Sequence, residues 1–131
     1  MSFRKVIKTA NAPAAIGPYS QAIQVGQTLY MSGQIGLDPV TGEFAGNSLE
    51  AQTKQVLQNM KAVLSEAGMS FENLVMVTIY LASMDDFSEV NALYGEHMPT
   101  PAPARGTVAV KTLPKGARVE IVGVAHSGSN T

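Results

Sequence analysis

The 131-residue sequence has no cysteine, no tryptophan, two histidines, 6% aromatic residues and 15% charged residues. Each shortage excludes a class of chemistry. Without cysteine there can be no disulfide, no thiolate nucleophile and no cysteine-ligated zinc. His97 and His126 stand apart, with no acidic partner at a recognisable spacing. Neither a hydrolase triad nor a histidine–carboxylate metal site therefore has sequence support. The patterns GxGxxG and GxxxxGK(S/T) are absent, so no phosphate cradle is encoded. Nine Lys+Arg against ten Asp+Glu leave a net charge of −1, and no block of like charge interrupts that balance. This weighs against nucleic acid and anionic membranes as partners. The opening MSFRKVIKTANAP lacks an apolar signal core, and no apolar run reaches membrane-spanning length. The expectation is a soluble, cytoplasmic protein, with HSGSNT (126–131) as a frayed tail.

The chain is 45% hydrophobic, and without a repeat or linker it reads as one domain over residues 1–131. Strand-like stretches run over Lys5–Lys8, Ala22–Val25 and Leu29–Ser32; Gly26-Gln27 suits a tight hairpin between the last two. GLDPVTGEFAG (36–46) reads as a loop. From Asn47 to Ala67, Leu49, Val56, Met60, Val63, Leu64 and Ala67 form a helical stripe, with Gln52, Lys54, Gln55 and Gln58 off it. Asn47 and Glu50 resemble a capping box, and Gly68 is placed to stop the helix. LVMVTIYL (74–81) is apolar on both faces, as a central buried strand would be. Ser83 opens a second helix, which turns Phe87, Val90, Tyr94 and Met98 inward and ends at Pro99–Pro103. Arg105–Lys111 and Arg118–Ala125 read as a final hairpin around LPKG. The order βββ-α-β-α-ββ describes an α+β domain whose helices cover one sheet face. The other face then requires a second copy of the chain, or else a sheet curled on itself.

Polar residues on strands are the remaining candidates. Alternation places Arg105, Thr107 and Ala109 on one face of their strand, and Gly106 and Val108 on the other. By itself, Arg105 reads as a charge reaching solvent at a strand entrance. Glu120 sits between Val119 and Ile121; a salt bridge to Arg118 or a lysine is the plain reading and a functional carboxylate the other. Asn91, between Phe87 and Tyr94, is expected to be buried and bonded to nearby backbone, or to belong to a site. A hairpin centred near Pro114–Lys115 would set Arg105 opposite Val124, about 13 Å along the sheet from Glu120. The two could then flank one small ligand without pairing.

Several stretches together resemble the RidA family (YjgF/YER057c/UK114): NAPAAIGPYSQAI (11–23), YMSGQIGLDPVTGEF (30–44), AGMS (67–70), VNALYGE (90–96), PARGTVAV (103–110) and LPKGARVEIVGVA (113–125). The resemblance spans nearly the whole chain in one colinear order. It implies a chorismate-mutase-like (bacillus-type) α+β fold with a mixed sheet and two helices on one face, assembled as a homotrimer with ligand clefts between subunits. It implies hydrolysis of 2-aminoacrylate and related 2-iminoacids to 2-ketoacids and ammonia, without metal or organic cofactor. By the same resemblance, Arg105 of the PAR motif holds the substrate carboxylate and Glu120 of VEI handles the attacking water. Tyr19 of GPYS, Ser32 and Gly33 of SGQ and Asn91 of VN line the cleft. Thr107 offers its backbone carbonyl to the substrate nitrogen. His97-Met98 departs from the two aromatic residues that many relatives carry there, and bears on cleft size. A non-catalytic 2-ketoacid binder would use Arg105 equally well. RNA cleavage or translation inhibition, attached to some relatives, is disfavoured by the neutral charge balance and the lack of a catalytic set.

Overall fold

The computed structural model describes residues 2–128. Its elements follow the order read from hydrophobic patterning: β1 (Arg4–Ile7), β2 (Ala22–Val25), β3 (Thr28–Gln34), α1 (Leu49–Glu66), β4 (Leu74–Leu81), α2 (Phe87–Gly95), β5 (Ala104–Ala109) and β6 (Val119–His126). Residues 129–131 of the expected tail lie outside the described residues. The start of that stretch is not frayed, because His126 completes β6 and the Ser127 amide donates to the Gln27 carbonyl at 2.8 Å. Among the described residues no helix is long and apolar enough to cross a membrane.

The strands form one mixed sheet in the order β1-β2-β3-β6-β4-β5. Only β4 and β5 are parallel, because α2 carries the chain back to the same end of the sheet before β5 begins. The expected β5–β6 hairpin is therefore wrong. β6 inserts antiparallel between β3 and β4, and β5 lies on the outer edge of β4. The physical reason is burial. Val119, Ile121, Gly123 and Ala125 all turn inward, and a strand with that face gains most when it is paired on both edges.

The core lies between α1 and the inner sheet face, where Val56, Leu57, Met60, Val63 and Leu64 meet Leu29, Ile79, Leu81 and Ile121. Gly123 lets the layers approach closely: a Cβ there would lie 3.2 Å from Leu74 Cδ2 and 3.4 Å from Met60 Cε. Ser48, not Asn47, caps α1, its hydroxyl accepting from the Ala51 amide at 3.0 Å. Gly68 ends the helix at φ +74° as expected. Gln52, read as off the stripe, is buried, and its Oε1 accepts from the Arg118 amide at 2.9 Å. Asn59 is also buried and donates to the Ile35 and Leu37 carbonyls. A helix crossing the ends of strands meets unpaired backbone there, and these amides satisfy it.

The opposite sheet face is bare. Register aligns Val6, Ile23, Tyr30, Val124 and Met76 in one row across β1, β2, β3, β6 and β4. Val6 is 59% exposed and Tyr30 53%. β4 is buried on its helix side alone, since Val77, Ile79 and Leu81 are covered while Val75 and Met76 are exposed. A sheet curled on itself would have hidden that row, so the curled account fails.

Replacing Ser48 with alanine should lower stability by about 1 kcal/mol. Asn47→Ala should be near neutral, as thermal unfolding at fixed protein concentration would show.

Candidate functional site

The candidate residues fall into two clusters. Arg105 opens β5 in register with Val77, which places it on the helix side of the sheet. Its Nη1 donates to Asn91 Oδ1 at 2.8 Å. The guanidinium carbon lies 5.1 Å from the Tyr94 ring centre and 5.7 Å from that of Phe87. Phe87, Asn91 and Tyr94 recur at steps of four and three, so one face of α2 presents all of them to the arginine. Asn91 is exposed rather than buried, and it bonds an arginine side chain rather than nearby backbone. Thr107 follows on the same strand face, and its enclosed Oγ1 has no hydrogen-bond partner among the described residues.

Glu120 belongs to the other face. It pairs in register with Tyr80, whose neighbours Ile79 and Leu81 point towards the helices. It borders a cleft of about 800 Å³ whose walls include Ile16, Tyr19, Ser32, Gly33 and Lys115. A Cβ on residue 33 would collide with the Glu120 carboxylate, so glycine is what admits that side chain. A register shift in β3 between Met31 and Gln34 brings Ser32 and Gly33 to this edge. The Ser32 hydroxyl donates to the Ser20 carbonyl at 2.6 Å and so anchors the loop that carries Tyr19. Gln21 holds the same loop from behind: its Nε2 donates to the Thr9 and Pro13 carbonyls and its Oε1 accepts from the Thr9 amide.

The salt-bridge reading of Glu120 does not hold. Arg118 pairs with Asp86 at 3.2 Å instead, and among the described residues Glu120 has no ion-pair partner. Burial without a compensating charge raises its pKa above the ordinary glutamate value. The folded state thus holds the proton to higher pH than the unfolded chain does. This group therefore costs stability as pH rises from the ordinary glutamate range through the raised value.

Arg105 aligns with Val77 and Gly123, whereas Glu120 aligns with Tyr80 and Val108. The two stand about 10 Å apart along the strands and about 10 Å across them, on opposite faces. The same-face spacing of about 13 Å expected from a hairpin is thus replaced, because β4 separates the two strands. The structure brings Tyr19, Ser32, Gly33 and Glu120 together, and separately Asn91, Arg105 and Thr107. Sequence reasoning placed Phe87 and Tyr94 in the core and missed them as neighbours of Arg105. The available signal was Asn91 standing between them on one helix face. Lys115, at φ +57°, was also missed as part of the cleft wall. His97 lies edge-on to Phe71 at 6.2 Å and Met98 packs on the core, so neither borders this cleft.

A family model described as Endoribonuclease L-PSP matches residues 9–127. A mouse protein named 2-iminobutanoate/2-iminopropanoate deaminase is 48% identical, the match covering 95% of this chain and 93% of that protein. The human protein of the same name is 47% identical, over 98% of this chain and 93% of its own. Among solved structures, YyfA from Yersinia pestis, described as a protein of unknown function of the conserved Rid family, superposes with a TM-score of 0.90 at 47% identity. That match covers 94% of this chain and 98% of YyfA. E. coli TdcF with bound serine superposes with a TM-score of 0.87 at 35% identity, over 93% of this chain and 98% of that one.

Carbon-13 NMR titration should show the Glu120 carboxyl ionising above the ordinary glutamate range. In Gly33→Ala the new methyl should push the carboxylate towards solvent and bring its midpoint back down towards the ordinary glutamate range.

Proposed function

Since the chain belongs to the RidA (YjgF/YER057c/UK114) family, we propose that it is a 2-iminobutanoate/2-iminopropanoate deaminase, hydrolysing enamine and imine intermediates to 2-ketoacids and ammonia. A cytoplasmic location and independence of metal or organic cofactors go with this reading. The observation that carries its geometry is the separation of Arg105 from Glu120 on opposite sheet faces. One copy cannot close both around a small iminoacid, but a second copy seated on the bare apolar face can supply the missing half. We therefore propose a chorismate-mutase-like homotrimer in which each cleft joins Tyr19, Ser32, Gly33 and Glu120 of one subunit to Asn91, Arg105 and Thr107 of the next.

In that cleft the N–H groups of Arg105 not used by Asn91 bind the substrate carboxylate through two parallel hydrogen bonds, a fork that lysine cannot reproduce. The Thr107 carbonyl accepts from the imine nitrogen and turns the C=N carbon towards Glu120. Glu120 takes a proton from water as the water oxygen bonds to that carbon. The C=N π pair moves to nitrogen and leaves a carbinolamine. Glu120 returns the proton to that nitrogen, then carries the carbinolamine hydroxyl proton to it as the C–N bond breaks, so that ammonia departs as the ketone forms. A carboxyl whose pKa burial has raised suits both halves of this exchange. No covalent intermediate is needed.

Arg105→Ala should abolish acceleration of 2-iminopropanoate hydrolysis, with the iminoacid generated by an amino-acid oxidase. Wild-type rates in that variant would remove the assignment. Glu120→Gln should still bind 2-oxobutanoate while its rate falls about 10²–10⁴-fold. Unfolding the two inactive variants together and refolding them as mixed trimers should restore about a quarter of wild-type activity, since each site draws on two subunits. Failure of the mixture to recover would refute the shared site.

A further inference from the structure

Arg105 is a long, exposed side chain on an edge strand, where a guanidinium ordinarily samples many rotamers. Here it is held on three sides. Asn91 Oδ1 accepts one N–H at 2.8 Å, while the Phe87 and Tyr94 rings lie 5.7 and 5.1 Å from the guanidinium carbon. Both distances fall within reach of a cation–π attraction. Among the described residues no carboxylate lies within ion-pair distance of Arg105, so its charge is left for a ligand. The Tyr94 side chain is buried, yet its hydroxyl has no hydrogen-bond partner among the described residues. What Tyr94 offers the arginine is its ring, not its oxygen.

We infer that Phe87 and Tyr94 are positioning residues, forming an aromatic cradle on α2 that aims the Arg105 guanidinium before the carboxylate arrives. The inference rests on the reading of Arg105 as the carboxylate-binding residue. Its physical content is pre-organisation. A guanidinium already held in its bound geometry surrenders less rotamer freedom on binding, and the gain appears as affinity. Neutral rings and a neutral amide can do this without drawing off the charge, which a neighbouring aspartate would neutralise. The cradle also selects arginine over lysine, since only the planar guanidinium can stack on a ring and still offer a fork.

The test compares Phe87→Leu, Tyr94→Leu and Tyr94→Phe with wild type and Arg105→Ala in the imine-hydrolysis assay. Thermal unfolding and sedimentation accompany each variant. Phe87→Leu and Tyr94→Leu should each raise KM about three- to thirty-fold with kcat little changed, the size expected for losing one ring from a partly desolvated cation. Tyr94→Phe, which keeps the ring, should behave as wild type. Phe87 is only half-buried, so its variant keeps the test available if Tyr94→Leu does not fold. Unchanged KM in the leucine variants beside an inactive Arg105→Ala would overturn the cradle and leave the deaminase reading standing. Lower thermal stability and kcat with KM unchanged would mark the rings as packing alone and also overturn it. A fully active Arg105→Ala would overturn both.

Discussion

The insertion of β6 between β3 and β4 is the constraint on which the rest of the structure depends. β6 is hydrogen-bonded along both edges, and its inward residues Val119, Ile121, Gly123 and Ala125 form the floor on which α1 packs. Because side chains alternate along a strand, fixing those four inward also fixes Glu120, Val122 and Val124 outward. A slip of one residue would bury a carboxylate beneath α1 and expose Ile121, so the register is strongly determined. The same insertion pushes β5 to the sheet edge, where Arg105 can reach α2.

From that placement comes a division of labour between the two faces. The helix side holds a cation that has no paired anion among the described residues, steadied by Asn91 and two rings. The bare side holds a carboxylate that has no paired cation among the described residues, admitted by a glycine and raised in pKa by burial. In one copy each group is poised and incomplete. The row of exposed Val6, Tyr30 and Met76 and half-buried Ile23 and Val124 supplies an apolar surface on which a second copy would be seated. In the proposed assembly the same contact that covers the row also completes the site.

The sparse chemistry of the sequence suits the reaction proposed for it. An imine is already electrophilic, so its hydrolysis asks for a located carboxylate, a directed water and a returning proton rather than a covalent nucleophile. A chain without cysteine and with two isolated histidines loses nothing needed for that task. Its resources lie instead in placement: the Ser32–Ser20 bond and the Gln21 contacts that fix the Tyr19 loop, and the Asn59 amide that fixes Ile35 and Leu37.

Patterns local along the chain were legible without the structure. Helical spacing located α1 and α2, Gly26-Gln27 located the β2–β3 turn, and Gly68 located the end of α1, because each depends on backbone preferences within a few residues. Alternation separated Arg105 from Gly106, and Glu120 from Ile121, since a strand has only two faces. The motifs named Arg105, Glu120 and their companions, but not which of them share a side of the sheet. Tertiary structure decided that β5 and β6 are not neighbours, that Arg118 pairs with Asp86 rather than with Glu120, and that Phe87 and Tyr94 embrace an arginine rather than merely filling the core. Those outcomes depend on strand order, and strand order follows from which complete arrangement buries the most apolar surface while pairing every edge it can. No window of a few residues contains that comparison.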